Sequence, residues 1–257
     1  MRFFSPSNRF LVRLSVVACL CAAPAGAVFA GAPPAAAPAP LPAATSAFLA
    51  KFVNSDGNVN YAAIKRNPLE LKGLLKRVET FDAASAKPAD REAFYLNAYN
   101  LLVIGEVVAR YPLESVQKVP GFFDKNLVSV AGEKLTLNDL EAQKLRQPYA
   151  DPRVHFALVC GAKGCPRLSR AAYVGNQLDA QLTIQARKVL QEPTFIRVDA
   201  KARKVRISQI FKWYEADFKA SGKTGVAYVN QFREGKTIPA TYAVDYYTYD
   251  WALNAQK

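Results

Sequence analysis

The chain has 257 residues, 51% of them hydrophobic and 21% charged, with a formal net charge of +13. That composition excludes a disordered or low-complexity polypeptide and fits one globular domain of ordinary size. The basic balance points to anionic partners, such as an envelope component or an acidic peptide. Nucleic acid is not expected, because the leader routes the chain to export and no helix-turn-helix, zinc or RNA-recognition signature is present.

Residues 1–30 read as a secretory signal peptide. Arg2, Arg9 and Arg13 form a basic leader, Leu14 to Ala23 an apolar core, and Val28-Phe29-Ala30 a small-residue cleavage site. Cys19 also fits a lipobox loosely, which gives lipidation as a lesser alternative. The core is too short to span a bilayer, and no other span is expected, so the localisation read here is periplasmic or secreted. Residues 31–45 are proline- and alanine-rich and read as an uncharged tether. A single domain is expected over 46–257.

In chain order, Thr45 to Phe52 reads as a short helix with Ser46 as a cap. Another short element begins after the Asp56-Gly57 turn, and Pro68 to Phe81 carries leucines at helical spacing. Arg91 to Tyr111 is the strongest helix. It is apolar on nearly every side and therefore central to its domain, and Pro112 ends it. Within it, Asn97 and Asn100 lie three apart on one face. Buried amides need partners, so they either bond a neighbouring backbone or orient a residue in a site.

Pro120 to Lys125 is an aromatic loop and Leu127 to Leu135 a hairpin. Thr136 to Arg146 is a helix capped by Thr136, with Asp139 and Glu141 near its start. Asp151 to Leu168, DPRVHFALVCGAKGCPRL, reads as a buried strand running into a glycine-flanked loop. Tyr173 to Leu190 is an amphipathic helix. Phe195 to Val198 and Val205 to Ile207 form a second hairpin, Ser208 caps an aromatic helix, and Val226 to Phe232 is a further helix. Tyr242 to Trp251 reads as a terminal strand, with Tyr246 to Asn254 either ending the sheet or rimming a cleft. Helices interleaved with hairpins point to α+β: a central buried helix packed on a mixed or antiparallel sheet.

The candidate chemistry lies in the Asp151–Leu168 stretch. It holds the one histidine, His155, and both cysteines that survive processing, Cys160 and Cys165. In an oxidising compartment the pair forms a structural disulfide, or one thiolate is a nucleophile that the other resolves or protects, or both are idle thiols. His155 is either a satisfied core residue or a general base. On a straight strand, five residues separate the imidazole from Cys160 by about 16 Å and place them on opposite faces. A direct dyad therefore needs a bend, and otherwise the partner of His155 is Asn97, Asn100, Glu106 or Glu141. Gly161 to Gly164, with Lys163, form either a tight turn or a cradle of amides for an oxyanion. Pro166 suits the first turn of a helix, which would set Cys165 at a positive helix end. No cofactor is expected. No metal is expected either, since two cysteines and one histidine fall short of a zinc set.

Phe94 to Asn100, Asp151 to Ala162 and Cys165-Pro166 resemble the domain of unknown function 547 family. Phe211-Lys212-Trp213-Tyr214 and Tyr249-Asp250-Trp251 follow in the family's order. The likeness runs from about Tyr61 to Asn254. The family includes exported bacterial proteins and domains of eukaryotic chains, some joined to glutaredoxin-like modules, which implies thiol chemistry by analogy. A papain- or transglutaminase-like fold is a further expectation, although the helix that would bear the nucleophile has Asn97 and Asn100 and no cysteine. Many relatives carry a histidine just after the residue matching Glu141; here Gln143 stands nearby. Together these readings give a thiol-dependent hydrolase or transferase acting on an amide or thioester. Cys160 would be the nucleophile, His155 the base, Asn97 or Asn100 the orienter, and the Gly161 to Gly164 amides the oxyanion donors. The alternative is a non-catalytic binding or scaffold protein with a structural Cys160–Cys165 disulfide.

Overall fold

A computed structural model describes residues 38–257, apart from Thr224. The leader, the lipobox cysteine and most of the tether lie outside the described residues. The chain from Ala39 onward forms one unit of mixed helix and strand.

Helix α1, Leu41–Phe52, starts ahead of the expected Thr45, because a proline in the first turn surrenders only an N–H that has no intrahelical partner. Ser46 is thus inside the helix, and its hydroxyl accepts from Ala172 N–H instead of capping (3.0 Å). Asn60 caps α2, Tyr61–Arg66, by accepting from Ala63 N–H. Helix α3, Leu69–Glu79, leads to α4, Pro88–Arg110, which buries fourteen residues, twelve of them in the run 93–104, and ends at extended Tyr111 before Pro112. Helices α1, α2 and α3 pack against α4. Their side chains share one apolar core with Val128 and Val130 of an antiparallel hairpin, β1 (Leu127–Val130) and β2 (Glu133–Thr136).

Thr136 caps α5, Leu137–Glu141, as its sequence position predicts, with its hydroxyl oxygen accepting from Asp139 N–H. The helix then widens into a π-helical turn, Ala142–Arg146, before a last short turn, α6 (Gln147–Tyr149). In an i→i+5 turn, residues five apart come round to the same side. Glu141 and Arg146 therefore flank one place.

The expected buried strand at Val154 to Cys160 is not a strand. Asp151 accepts from Arg153 N–H (2.9 Å) and starts a single helical turn, α7, Val154–Ala157. Leu158 is extended, and the chain runs on to Cys160 without helix or strand. A short apolar run fits a buried helical turn as well as a buried strand, and among the described residues no strand pairs with this one. Nor does Pro166 open a helix, so Cys165 is not at a helix end.

After α8, Leu178–Gln191, comes a three-stranded sheet in the order β3 (Ile196–Asp199), β4 (Lys204–Ile207), β5 (Ala243–Tyr246). β3 and β4 are antiparallel, and β5 joins β4 in parallel, so the terminal strand is real but shorter than expected. Between β4 and β5 lie α9 (Ile210–Trp213), α10 (Glu215–Ala220) and α11 (Gly225–Asn230). This half has its own aromatic core around Phe156, Phe195, Phe211 and Phe218. Helix α7 is the seam: Val154 and Ala157 belong to the first core and Phe156 to the second. Among the described residues, no helix is long and apolar enough to cross a membrane.

Candidate functional site

The seam holds a cavity of about 330 Å³. His155, Cys160 and Cys165 all line it, together with Glu141, Tyr99, Tyr214 and Tyr249. The single turn of α7 explains the convergence. A helix rises less than half as far per residue as a strand, so His155 and Cys160 are drawn together along the chain.

Asn100 sets where that turn ends. Its amide nitrogen donates to Ala157 O (3.0 Å) and its oxygen accepts from Val159 N–H (2.9 Å). The side chain thereby mimics a strand partner and holds the chain extended at Leu158. Asn97 grips Tyr173 in the same way, donating to its carbonyl and accepting from its N–H, both at 2.8 Å. Both amides are committed to backbone, so neither orients the imidazole.

The partner of His155 is Asp217 on α10, not one of the residues expected from the sequence. Nε2 lies 2.8 Å from Asp217 Oδ2, and the ring, 4% exposed with its residue, stacks on Tyr214 with centroids 3.9 Å apart. Asp217 also accepts from Arg146 Nε (2.7 Å) and Nη2 (3.1 Å). The hydrogen bond to His155, then that to Arg146, holds the Asp217 carboxyl well below the usual carboxylate range. The Arg146 guanidinium sits over the Tyr214 ring at 4.7 Å.

The Cys160 and Cys165 sulfurs are paired as a disulfide, with the Cα atoms 6.3 Å apart. Cys165 Sγ accepts from Cys160 N–H (3.0 Å) and from Tyr249 Oη (3.2 Å), and Tyr249 Oη lies 3.3 Å from Cys160 Sγ. Burial pushes the Tyr249 phenol up, so it keeps its proton and donates. Two of the loop amides between the cysteines are committed elsewhere and cannot serve an oxyanion. Lys163 N–H donates to Ala252 O and Gly164 N–H to Asp250 O, both at 2.8 Å, while Gly161 O accepts from Asn254 N–H. Gly164 permits that approach, since a Cβ there would meet Asp250 N and the Tyr249 ring at 3.0 Å. Lys163 lines a separate, more polar cleft of about 610 Å³, beyond the Cys165-Pro166 wall.

Glu141 is 8% exposed and faces the cavity beside Tyr99 and Tyr214. Burial first, and the Glu141 carboxylate next, push both phenols up. Among the described residues, no group of three or more His, Cys, Asp and Glu is arranged to hold a metal ion.

A family model described as "Protein of unknown function, DUF547" matches residues 83–190. Over that stretch the match supports membership of this family. The DUF547 match spans Asn97, Asn100, Glu141, His155, Cys160 and Cys165. It stops before Tyr214, at the junction of α9 and α10, before Asp217 on α10 and before Tyr249. Comparisons with curated proteins and with solved structures return no match. Nothing local in the sequence marks Asp217 and Arg146 as partners, because their meeting joins positions 71 apart. Tyr214 and Tyr249 stood inside quoted motifs, whose aromatic clustering was the one signal of a cleft.

Proposed function

We propose that this is an exported thiol-dependent hydrolase or transferase acting on an amide or thioester. The reading rests on one observation: the sole imidazole, oriented by Asp217, lines the same cavity as the Cys160–Cys165 sulfurs. The paired sulfurs are the resting form, and a thiol reductant must open the disulfide first. Its thiolate attacks Cys160 Sγ, and the electron pair goes to Cys165 Sγ, which already accepts from the Cys160 amide and Tyr249. A second thiol frees Cys160.

In the dithiol state His155, through the ring nitrogen that Asp217 does not hold, takes the Cys160 proton. The sulfur attacks the carbonyl carbon, and Tyr249 Oη replaces the loop amides as donor to the oxyanion. The amine or thiol leaves with the imidazolium proton, and water or an acceptor completes the turnover. The basic surface favours anionic envelope components or acidic peptides as partners.

A binding or scaffold protein with a structural disulfide is the second reading, favoured by the paired sulfurs and the fully committed Lys163 and Gly164 amides. Alkylation of the reduced protein, mapped by peptide mass, separates the two. The enzyme reading expects Cys160 to react faster than Cys165, and His155→Gln to slow it by about tenfold or more. Equal rates in both proteins would leave the structural reading.

A further inference from the structure

The chain is basic overall, yet its seam cavity has the opposite character. Asp217 is matched by Arg146 through two hydrogen bonds. Glu141, 8% exposed, takes part in no ion pair among the described residues. Arg146 stands near Glu141 but directs its guanidinium hydrogen bonds to Asp217, so the carboxylate keeps room for a further cation, and the cost of its burial falls when a positive group enters beside it. The walls are aromatic. At the mouth, Trp213 and Trp251 stack at 5.8 Å, and Tyr249 lies 4.8 Å and 4.7 Å from them. Trp213 is 48% exposed although it is a large apolar ring. Faces of Trp and Tyr attract a desolvated cation, and this is strongest where water is excluded.

We propose that the cavity binds an alkylated ammonium head group, with Glu141 as counter-charge and Trp213, Trp251 and Tyr249 as the aromatic walls. A primary ammonium brings three N–H donors that each need an acceptor. The Glu141 carboxylate already faces two phenols, and Asn138 is among the few other polar groups in the lining. A methylated ammonium carries charge and apolar surface without that demand. This inference concerns binding alone and holds whether or not the sulfurs do chemistry.

The chain has two tryptophans in all, and both line this cavity, so intrinsic fluorescence reports on it directly. The test titrates the full mature chain with choline and with its uncharged isostere 3,3-dimethyl-1-butanol. Choline should bind about tenfold more tightly or better, the worth of a desolvated cation–aromatic contact. Glu141→Gln should weaken choline severalfold and leave the isostere nearly unchanged, the residual preference being that of the aromatic walls. Should that variant not fold, Trp213→Leu, at a half-exposed position, should weaken choline in calorimetry while leaving the isostere nearly unchanged. Equal affinity of the two ligands for the unmutated chain, or no response to choline, would overturn the proposal.

Discussion

Two groups of buried polar side chains flank the 154–160 segment, and they differ in where their hydrogen bonds go. On the α4 side, Asn97 and Asn100 each close on one residue's worth of backbone, with donor and acceptor both matched. On the seam side, His155, Asp217 and Arg146 bond one another, and the imidazole still borders a cavity shared with two sulfurs and Glu141. Burial alone therefore does not mark a site. What separates the two groups is whether the bonding partners form a closed set. The first holds the chain in place, and the second is held in place by it.

The largest effect expected from breaking this contrast is in the closed group. Asn100→Ala strands the Ala157 carbonyl and the Val159 N–H and should cost about 3 kcal/mol in urea unfolding. A loss under about 1 kcal/mol would mean that the clamp is not what ends α7. Next comes the crosslink. Cys160→Ser with Cys165→Ser opens a six-residue loop and should cost about 2 kcal/mol on loop entropy. A much larger loss would make the disulfide chiefly structural.

Asp217→Asn should cost about 1–2 kcal/mol at pH 7, as expected for a partly exposed charge-assisted pair. Because the folded carboxyl sits below its ordinary value, the wild-type advantage should be present above about pH 4 and fade as pH falls through the folded value. A constant advantage across acid pH would place the carboxyl elsewhere.

Glu92 sharpens the comparison from a third position. At the start of α4 its Oε1 is buried without a partner, and burial, then Asp151, push its carboxyl up to about 7. The folded state thus holds the Glu92 proton more tightly, and stability should fall as pH rises from about 4.3 through that value. Glu92→Gln should remove the decline, gaining about 1 kcal/mol at pH 8 and nothing near pH 4, by thermal unfolding.

Much of the frame could be read from residue patterns: the all-round apolar α4, both hairpins, the Thr136 cap and the α+β class. The 154–160 run could not, because its apolar side chains fit a buried turn and a buried strand alike. What decides between them is the Asn100 side chain, 57 residues earlier than Ala157. The site divided in the same way. The sulfurs and the imidazole were visible as rare residues in one stretch. Asp217 was one acid among many, and its role depends on a contact 62 residues away. The π-helical turn that brings Arg146 beside Glu141 has no composition signal at all.

The most direct test of the shared cavity uses the single imidazole, which gives one assignable histidine signal in the proton–nitrogen spectrum of the full chain. Spectra are compared with the cysteines paired and after reduction, and again in Cys160→Ser. The account predicts that the ring resonances of His155 move in both cases, and that Lys163→Ala, on the far side of the Cys165-Pro166 wall, leaves them in place. Ring resonances that stay fixed through reduction and through Cys160→Ser would contradict a site shared by the imidazole and the sulfurs.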